Sequence, residues 1–197
     1  MWWNKEVFGQ ELYNVILWFL LYSMLGWLVE SIYMSICNRK LTNRGFAKGP
    51  FCPIYGIGAL TVYFALNSYT SNKVLLFVLG AILATVVEFV TALFMQKIFG
   101  EVWWDYHEKP FNFKGIICLE SSIAWGVYTL IFFTFLQGFV NRVVDSVPIQ
   151  IGKMVGFVLI FVLVGDSLVV FYKEKREDVQ PKLIEWKERF KERFMGN

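Results

Sequence analysis

The run Leu25–Gly58, LGWLVESIYMSICNRKLTNRGFAKGPFCPIYGIG, decides how the chain is read. It sets a carboxylate, Glu30, inside apolar sequence and follows it with a basic loop carrying Arg39, Lys40, Arg44 and Lys48. It then returns to apolar sequence through Gly49, Pro50, Cys52 and Pro53. An acid held in lipid needs a partner or a watery cavity. The same order comes back later, as Glu88 followed by Lys114, Gly115 and Cys118, so whatever the first copy does is expected twice.

Working outward, 56% of the 197 residues are hydrophobic and only 18% are charged, and the charges collect between long apolar runs. A soluble domain needs polar residues over its outside, and this chain has too few for that. The apolar runs approach the ~20 residues that cross a bilayer, so the expectation is an all-α, polytopic transmembrane bundle. The net charge of +3 is too small to argue for nucleic acid as a partner; the bilayer is the expected one, and positive charge reports topology instead. Cys37, Cys52 and Cys118 match no zinc spacing and are expected as free thiols; no metal and no cofactor is expected.

Five spans are expected, at about 12–37, 50–66, 73–98, 115–138 and 149–172, with residues 1–172 forming the membrane domain. The N-terminal segment has Trp2 and Trp3, suited to the headgroup layer, and lacks the basic start and small-residue cleavage site of a cleaved leader. The loop Asn38–Gly49 has four basic residues and no acid, which orients it to the cytoplasm and puts the N-terminus outside and the C-terminus inside. The second span is short, and reads as tilted little or partly re-entrant. An outer loop with Asn141, Arg142 and Asp145 is expected before Pro148, and Gly152 and Gly156 permit close helix contact in the fifth span, where Lys153 can snorkel. The charged tail 173–197 repeats Leu183, Trp186, Phe190 and Phe194 at helical spacing, which makes an amphipathic helix on the inner leaflet or against a soluble partner.

The two copies share Lys-Gly-x-x-Cys, at Lys48–Cys52 and Lys114–Cys118, each reached from a span with a buried glutamate. Duplicated helical hairpins plus a closing helix would explain it. Counting from the nearest basic residue at about 1.5 Å per residue puts Glu30, Glu88, Glu120 and Asp166 roughly 9–14 Å inside the cytoplasmic boundary. Three readings of that acidic layer stay open. The acids are capped by Ser, Thr, Tyr and Trp donors, or paired with Arg44, Lys48 and Lys114, and hold the bundle in register. Or they line a cavity for a cation or basic solute. Or a glutamate works as a general base beside His107 or Cys52, although His107, alone between Tyr106 and Glu108 in a loop, reads as solvated. No Gly-x-x-x-x-Gly-Lys-Ser/Thr sequence is present, so an ATP-driven motor would be a separate subunit.

Several ordered motifs carry a resemblance. They are Gly26-Trp27-x-x-Glu30, Asn43-Arg-Gly-Phe-x-x-Gly-Pro-x-Cys-Pro-Ile-Tyr-Gly56, the Glu88 span, Trp103-Trp-Asp-Tyr106 with Lys109-Pro-Phe-Asn112, and Cys118-Leu-Glu-x-Ser122. Over about Leu20–Leu136 the chain resembles the bacterial ABC-transporter type IV family, the CmpB-like permeases. The resemblance implies a multi-pass protein of the bacterial cell membrane, a transport permease rather than an enzyme, working with a separate ATPase. The rival classes are a membrane enzyme acting on lipid headgroups and a small interaction or regulatory protein binding through its tail. The candidate binding residues are Glu30, Glu88, Glu120 and Asp166, with Arg44, Lys48 and Lys114 as charge partners, and a homodimer suits so small a bundle.

Overall fold

The computed structural model describes residues 2–43, 49–100, 102, 104–170 and 172. Arg44, Lys48, Trp103 and the tail 173–197 with its expected amphipathic helix therefore lie outside the described residues. The bundle is all-α. Its helices are α1 (Leu12–Asn38), α2 (Pro53–Leu66), α3 (Lys73–Phe99), α4 (Leu119–Ile131) and α5 (Gln137–Ser146), the last two joined by a π turn at Phe132–Leu136. A further helix, α6, covers Ile149–Val170. Among the described residues, four stretches are long and apolar enough to cross a bilayer: Leu12–Asn38, Lys73–Ile98, Leu119–Ser146 and Ile149–Val170. The 14-residue α2 is shorter, in keeping with the brevity read from the sequence.

Each helix starts and stops for a local reason. Pro53 sits in the first turn of α2, where its missing N–H costs nothing. Asn72 caps α3 by accepting from the Leu75 amide at 3.1 Å. Cys118 and Ser121 cap α4 reciprocally, the thiol accepting from the Ser121 amide and the hydroxyl from the Cys118 amide. α1 closes on Arg39 and α3 on Gly100, both in the left-handed conformation.

The helices pair as two hairpins, α1 with α2 and α3 with α4, and α2 also meets α3 while α5 meets α1. In both hairpins the first helix overshoots the second. The Cys52 amide donates to the Ser23 carbonyl at 3.0 Å, so α2 begins beside the middle of α1. Ser23 is fifteen residues short of Asn38, roughly 22 Å along the axis. The connector covers that distance by folding back along α1: the Thr42 amide donates to Ser35 Oγ at 2.9 Å, and Trp27 Nε1 donates to Asn43 Oδ1 at 2.6 Å. Non-helical backbone at such depth is tolerated where protein rather than lipid surrounds it, and Phe51 is buried in the core. The second connector does likewise, with a two-stranded ribbon, β1 (Asn112–Phe113) on β2 (Ile117–Cys118), and with Phe113 reaching Phe89 at a ring separation of 6.1 Å.

Close approach at the first hairpin rests on glycine. A Cβ at Gly26 would fall 2.2 Å from the Tyr55 ring, and one at Gly56 would fall 2.6 Å from the Phe19 carbonyl. Across the bundle, the buried Tyr22 hydroxyl donates to Gln137 Oε1 at 2.6 Å, and the Gln137 amide donates to Asn141 Oδ1 at 2.8 Å.

That second bond marks a difference from the sequence reading. Asn141, Arg142 and Asp145 are helical, on α5, and not in an outer loop; Asn141 accepts from Gln137 four residues earlier and Arg142 donates to the Gly138 carbonyl, while Val140 and Val144 on the same helix are buried in the core. The α4 helix starts at Leu119, because the β1–β2 ribbon occupies the residues before it. Trp3 is buried, edge-on to Tyr13 at 6.3 Å and close over Gly156 of α6.

Candidate functional site

Glu88 lies on α3 and is only 8% exposed. Three neutral donors surround its carboxylate: Tyr106 Oη to Oε1 at 3.1 Å, Trp125 Nε1 to Oε2 at 3.1 Å, and Ser121 Oγ to Oε2 at 3.3 Å. They come from the second connector and from the first two turns of α4. One turn N-terminal to Glu88, Thr85 Oγ1 donates to Ser122 Oγ at 2.9 Å and fixes the register of the two helices.

Glu30 holds the corresponding place on α1 and accepts from Tyr55 Oη at 3.0 Å. The two sites match by position: Tyr55 is three residues past Cys52, and Ser121 is three past Cys118. The third residue of each helix thus delivers a hydroxyl to the glutamate of the preceding helix. The hairpins also meet here, since the Tyr106 phenol lies within electrostatic reach of both Glu88 and Glu30. Burial first, then the Glu88 charge and its hydrogen bond, with smaller contributions from Cys118 and Glu30, push that phenol well above its ordinary value. A phenol held protonated more firmly in the folded state contributes stability that is complete below its unfolded pKa of 10.0 and declines as pH rises beyond it. Tyr106 therefore stays a hydrogen-bond donor throughout the physiological range.

The other acids are placed differently. Asp166 of α6 accepts the Gly49 amide at 2.7 Å and so ties α6 to the residues leading into α2. Glu120 faces outward with a side chain 65% exposed, and its partner is Lys109 at 2.9 Å rather than Lys114. Lys114 is exposed, with its ammonium 5.6 Å from the Phe113 ring centroid, and pairs with no acid among the described residues. The structure thus gives Glu30 and Glu88 a tyrosine donor each, sets Asp166 on the first connector, and leaves Glu120 at the periphery.

The second connector owes its shape to Gly115, whose φ of +66° and contact with the His107 ring exclude a side chain. His107 is exposed and pairs with Asp105, whose carboxyl is held below its usual range first by the His107 amide and then by its ring. No group of three His, Cys, Asp or Glu side chains that could hold a metal ion occurs among the described residues.

Sequence reasoning passed over Tyr55, Tyr106 and Trp125 as named donors. A signal existed for the first: aligning the two Lys-Gly-x-x-Cys copies sets Tyr55 against Ser121. Nothing in spacing could have assigned Trp125 to Glu88, 37 residues away.

No curated protein and no solved structure matches the chain. A family model does, over residues 17–171, and it extends past the sequence motifs to take in α6. With its multi-pass helical bundle and a match over most of its length, the chain belongs to the family described as Putative ABC-transporter type IV.

Proposed function

We propose that this membrane protein is the permease-like subunit of a transport system rather than an enzyme, and that its solute path runs where the two fold-back connectors meet at Glu30 and Glu88. One observation carries the reading. Two carboxylates from separate hairpins, each beside a non-helical connector, each accept a tyrosine hydroxyl, Tyr55 on Glu30 and Tyr106 on Glu88, and the Tyr106 phenol lies within electrostatic reach of both acids. Irregular backbone at membrane depth is tolerated only inside protein or beside a water-filled path, and midplane sites between repeats are a common transporter design. Asp166 belongs to the same region through Gly49, and Arg44 and Lys48, on the first connector, are the proposed charge partners. The chain has no P-loop, so ATP coupling would require a separate ATPase subunit, and two copies around one path suit a bundle this small.

The test is ATP hydrolysis by material purified from the native membrane. The expected result is a co-eluting ATPase whose rate changes several-fold in Glu30→Gln while co-elution is unaltered. No co-eluting ATPase, or a rate indifferent to Glu30, would count against the reading.

The three donors on Glu88 favour a second role for that residue, as a structural pin for α3, α4 and the connector. A Glu88→Gln protein that folds and retains the wild-type ATPase rate would assign it to that role and leave Glu30 as the functional acid.

Orientation is part of the proposal: the basic connector Asn38–Gly49 faces the cytoplasm and the N-terminus lies outside. Cys37 is exposed at the connector end of α1, whereas Cys118 is buried. In a Cys52→Ser background, a membrane-impermeant maleimide should modify Cys37 only after cells are permeabilised. Modification in intact cells would invert the assignment.

A further inference from the structure

At the opposite end of the bundle, where α1 begins, a cleft of about 510 Å³ opens between the start of α1 and the junction of α5 with α6. Glu11, Asn14 and Asp145 supply its polar wall, Pro148 and Ile149 its apolar wall, and Tyr13 lines it as well. No lysine or arginine is among its lining residues, so the cleft carries two formal negative charges. Neither carboxylate is engaged: among the described residues Glu11 and Asp145 have no ion pair and no side-chain hydrogen bond. The basic groups near this end are directed elsewhere, Lys153 donating to Asn4 Oδ1 at 3.2 Å and Arg142 to the Gly138 carbonyl at 3.2 Å.

An independent feature asks for a ligand here. Tyr13 is 5% exposed, and its hydroxyl is buried with no hydrogen-bond partner among the described residues. The hydroxyl lies against Gly152, so near that a Cβ there would come within 2.0 Å, and it is within electrostatic reach of Asp145. A buried phenol with nothing to bond is costly, by about 1–3 kcal/mol, and a native structure retains one where something else completes it.

We infer that this cleft binds a primary ammonium group, with Asp145 and Glu11 supplying the counter-charge and Tyr13 Oη and Asn14 completing its hydrogen bonds. Three N–H donors in a compact cation match two carboxylates and a phenol oxygen. A divalent metal is a poorer match, because two carboxylates alone fall short of the six or more oxygens calcium takes. The site stands apart from the Glu30–Glu88 region and concerns binding, not transport, so it survives or fails independently of that reading. The ammonium can come from a free amine or from a lipid headgroup, and the experiment separates them.

The full chain in phosphatidylglycerol nanodiscs is titrated calorimetrically with ethanolamine, choline and calcium chloride. Saturable binding of ethanolamine is expected, with choline, which has no N–H, clearly weaker. Asp145→Asn should weaken ethanolamine binding about tenfold or more and Glu11→Gln several-fold, as expected for charge partners in a partly desolvated site. Both residues are exposed, so the variants should keep the wild-type melting temperature, measured alongside. Repeating the titration in phosphatidylethanolamine nanodiscs identifies the source: a lowered apparent affinity assigns the cleft to the headgroup, and an unchanged one assigns it to a free amine. No saturable ethanolamine binding, equal binding of choline, tighter binding of calcium, or affinity indifferent to Asp145 would each overturn the inference.

Discussion

Replacing Glu88 with alanine is expected to destabilise the bundle by about 2–5 kcal/mol, because it removes a buried acceptor from two half-buried donors, the Tyr106 hydroxyl and the Trp125 indole. Ser121 loses less, since its hydroxyl already has the Cys118 carbonyl at 2.9 Å. Glutamine should be far milder, near 1 kcal/mol, for its carbonyl oxygen can keep Trp125 and Ser121 while Tyr106 turns to accept from the amide. The ordering decides more than the absolute values, because donors inside a bilayer find substitute partners even in partly unfolded states. Thermal unfolding in detergent of the wild type, Glu88→Gln and Glu88→Ala should rank in that order. An alanine variant as stable as wild type would show that the carboxylate is not the acceptor on which these groups depend.

Gly56→Ala is expected to cost about 2–3 kcal/mol, while Gly58→Ala, two residues along the same helix, should be neutral or gain up to about 1 kcal/mol. The contrast comes from what a methyl group would meet. At position 56 it would lie 2.6 Å from the Phe19 carbonyl oxygen and 2.4 Å from Ser23 Oγ; at position 58 nothing lies within 4 Å. A main-chain carbonyl in the middle of α1 cannot step aside, so α2 must move outward as a body and loosen the contact of Tyr55 with Glu30. A midpoint shift at 56 with none at 58 is the expected result. Equal effects at both positions would mean that α1 and α2 do not approach as closely as described.

What could be read from the sequence was whatever depends on local composition. Apolar runs marked the helices, and the lone acids at Glu30 and Glu88 marked the two places where polar chemistry enters the bundle. The repeated Lys-Gly-x-x-Cys marked the paired entries into α2 and α4. The path of the chain was harder to read. Hydropathy counts residues but cannot tell that the connector after Asn38 turns back along α1 to Ser23, because that course is set by individual bonds from Thr42, Asn43 and Cys52. Nor could it tell that Asn141 and Asp145 are helical, since the partner that makes Gln137 affordable inside the bundle is Tyr22, 115 residues earlier. Glu120 and Lys109 show the same limit. Their pairing depends on a ribbon between them that brings residues eleven apart into contact.

The brevity of α2 has a consequence for the surrounding lipid. Fourteen residues rise only about 21 Å, against a hydrocarbon layer near 30 Å. Acyl chains beside Ile57, on the outward side of this helix, meet a stretch of protein too short to match them. The leaflet must dip there, and each ångström of misfit carries a small elastic penalty. Shorter acyl chains relieve that misfit along α2, and longer ones enlarge it.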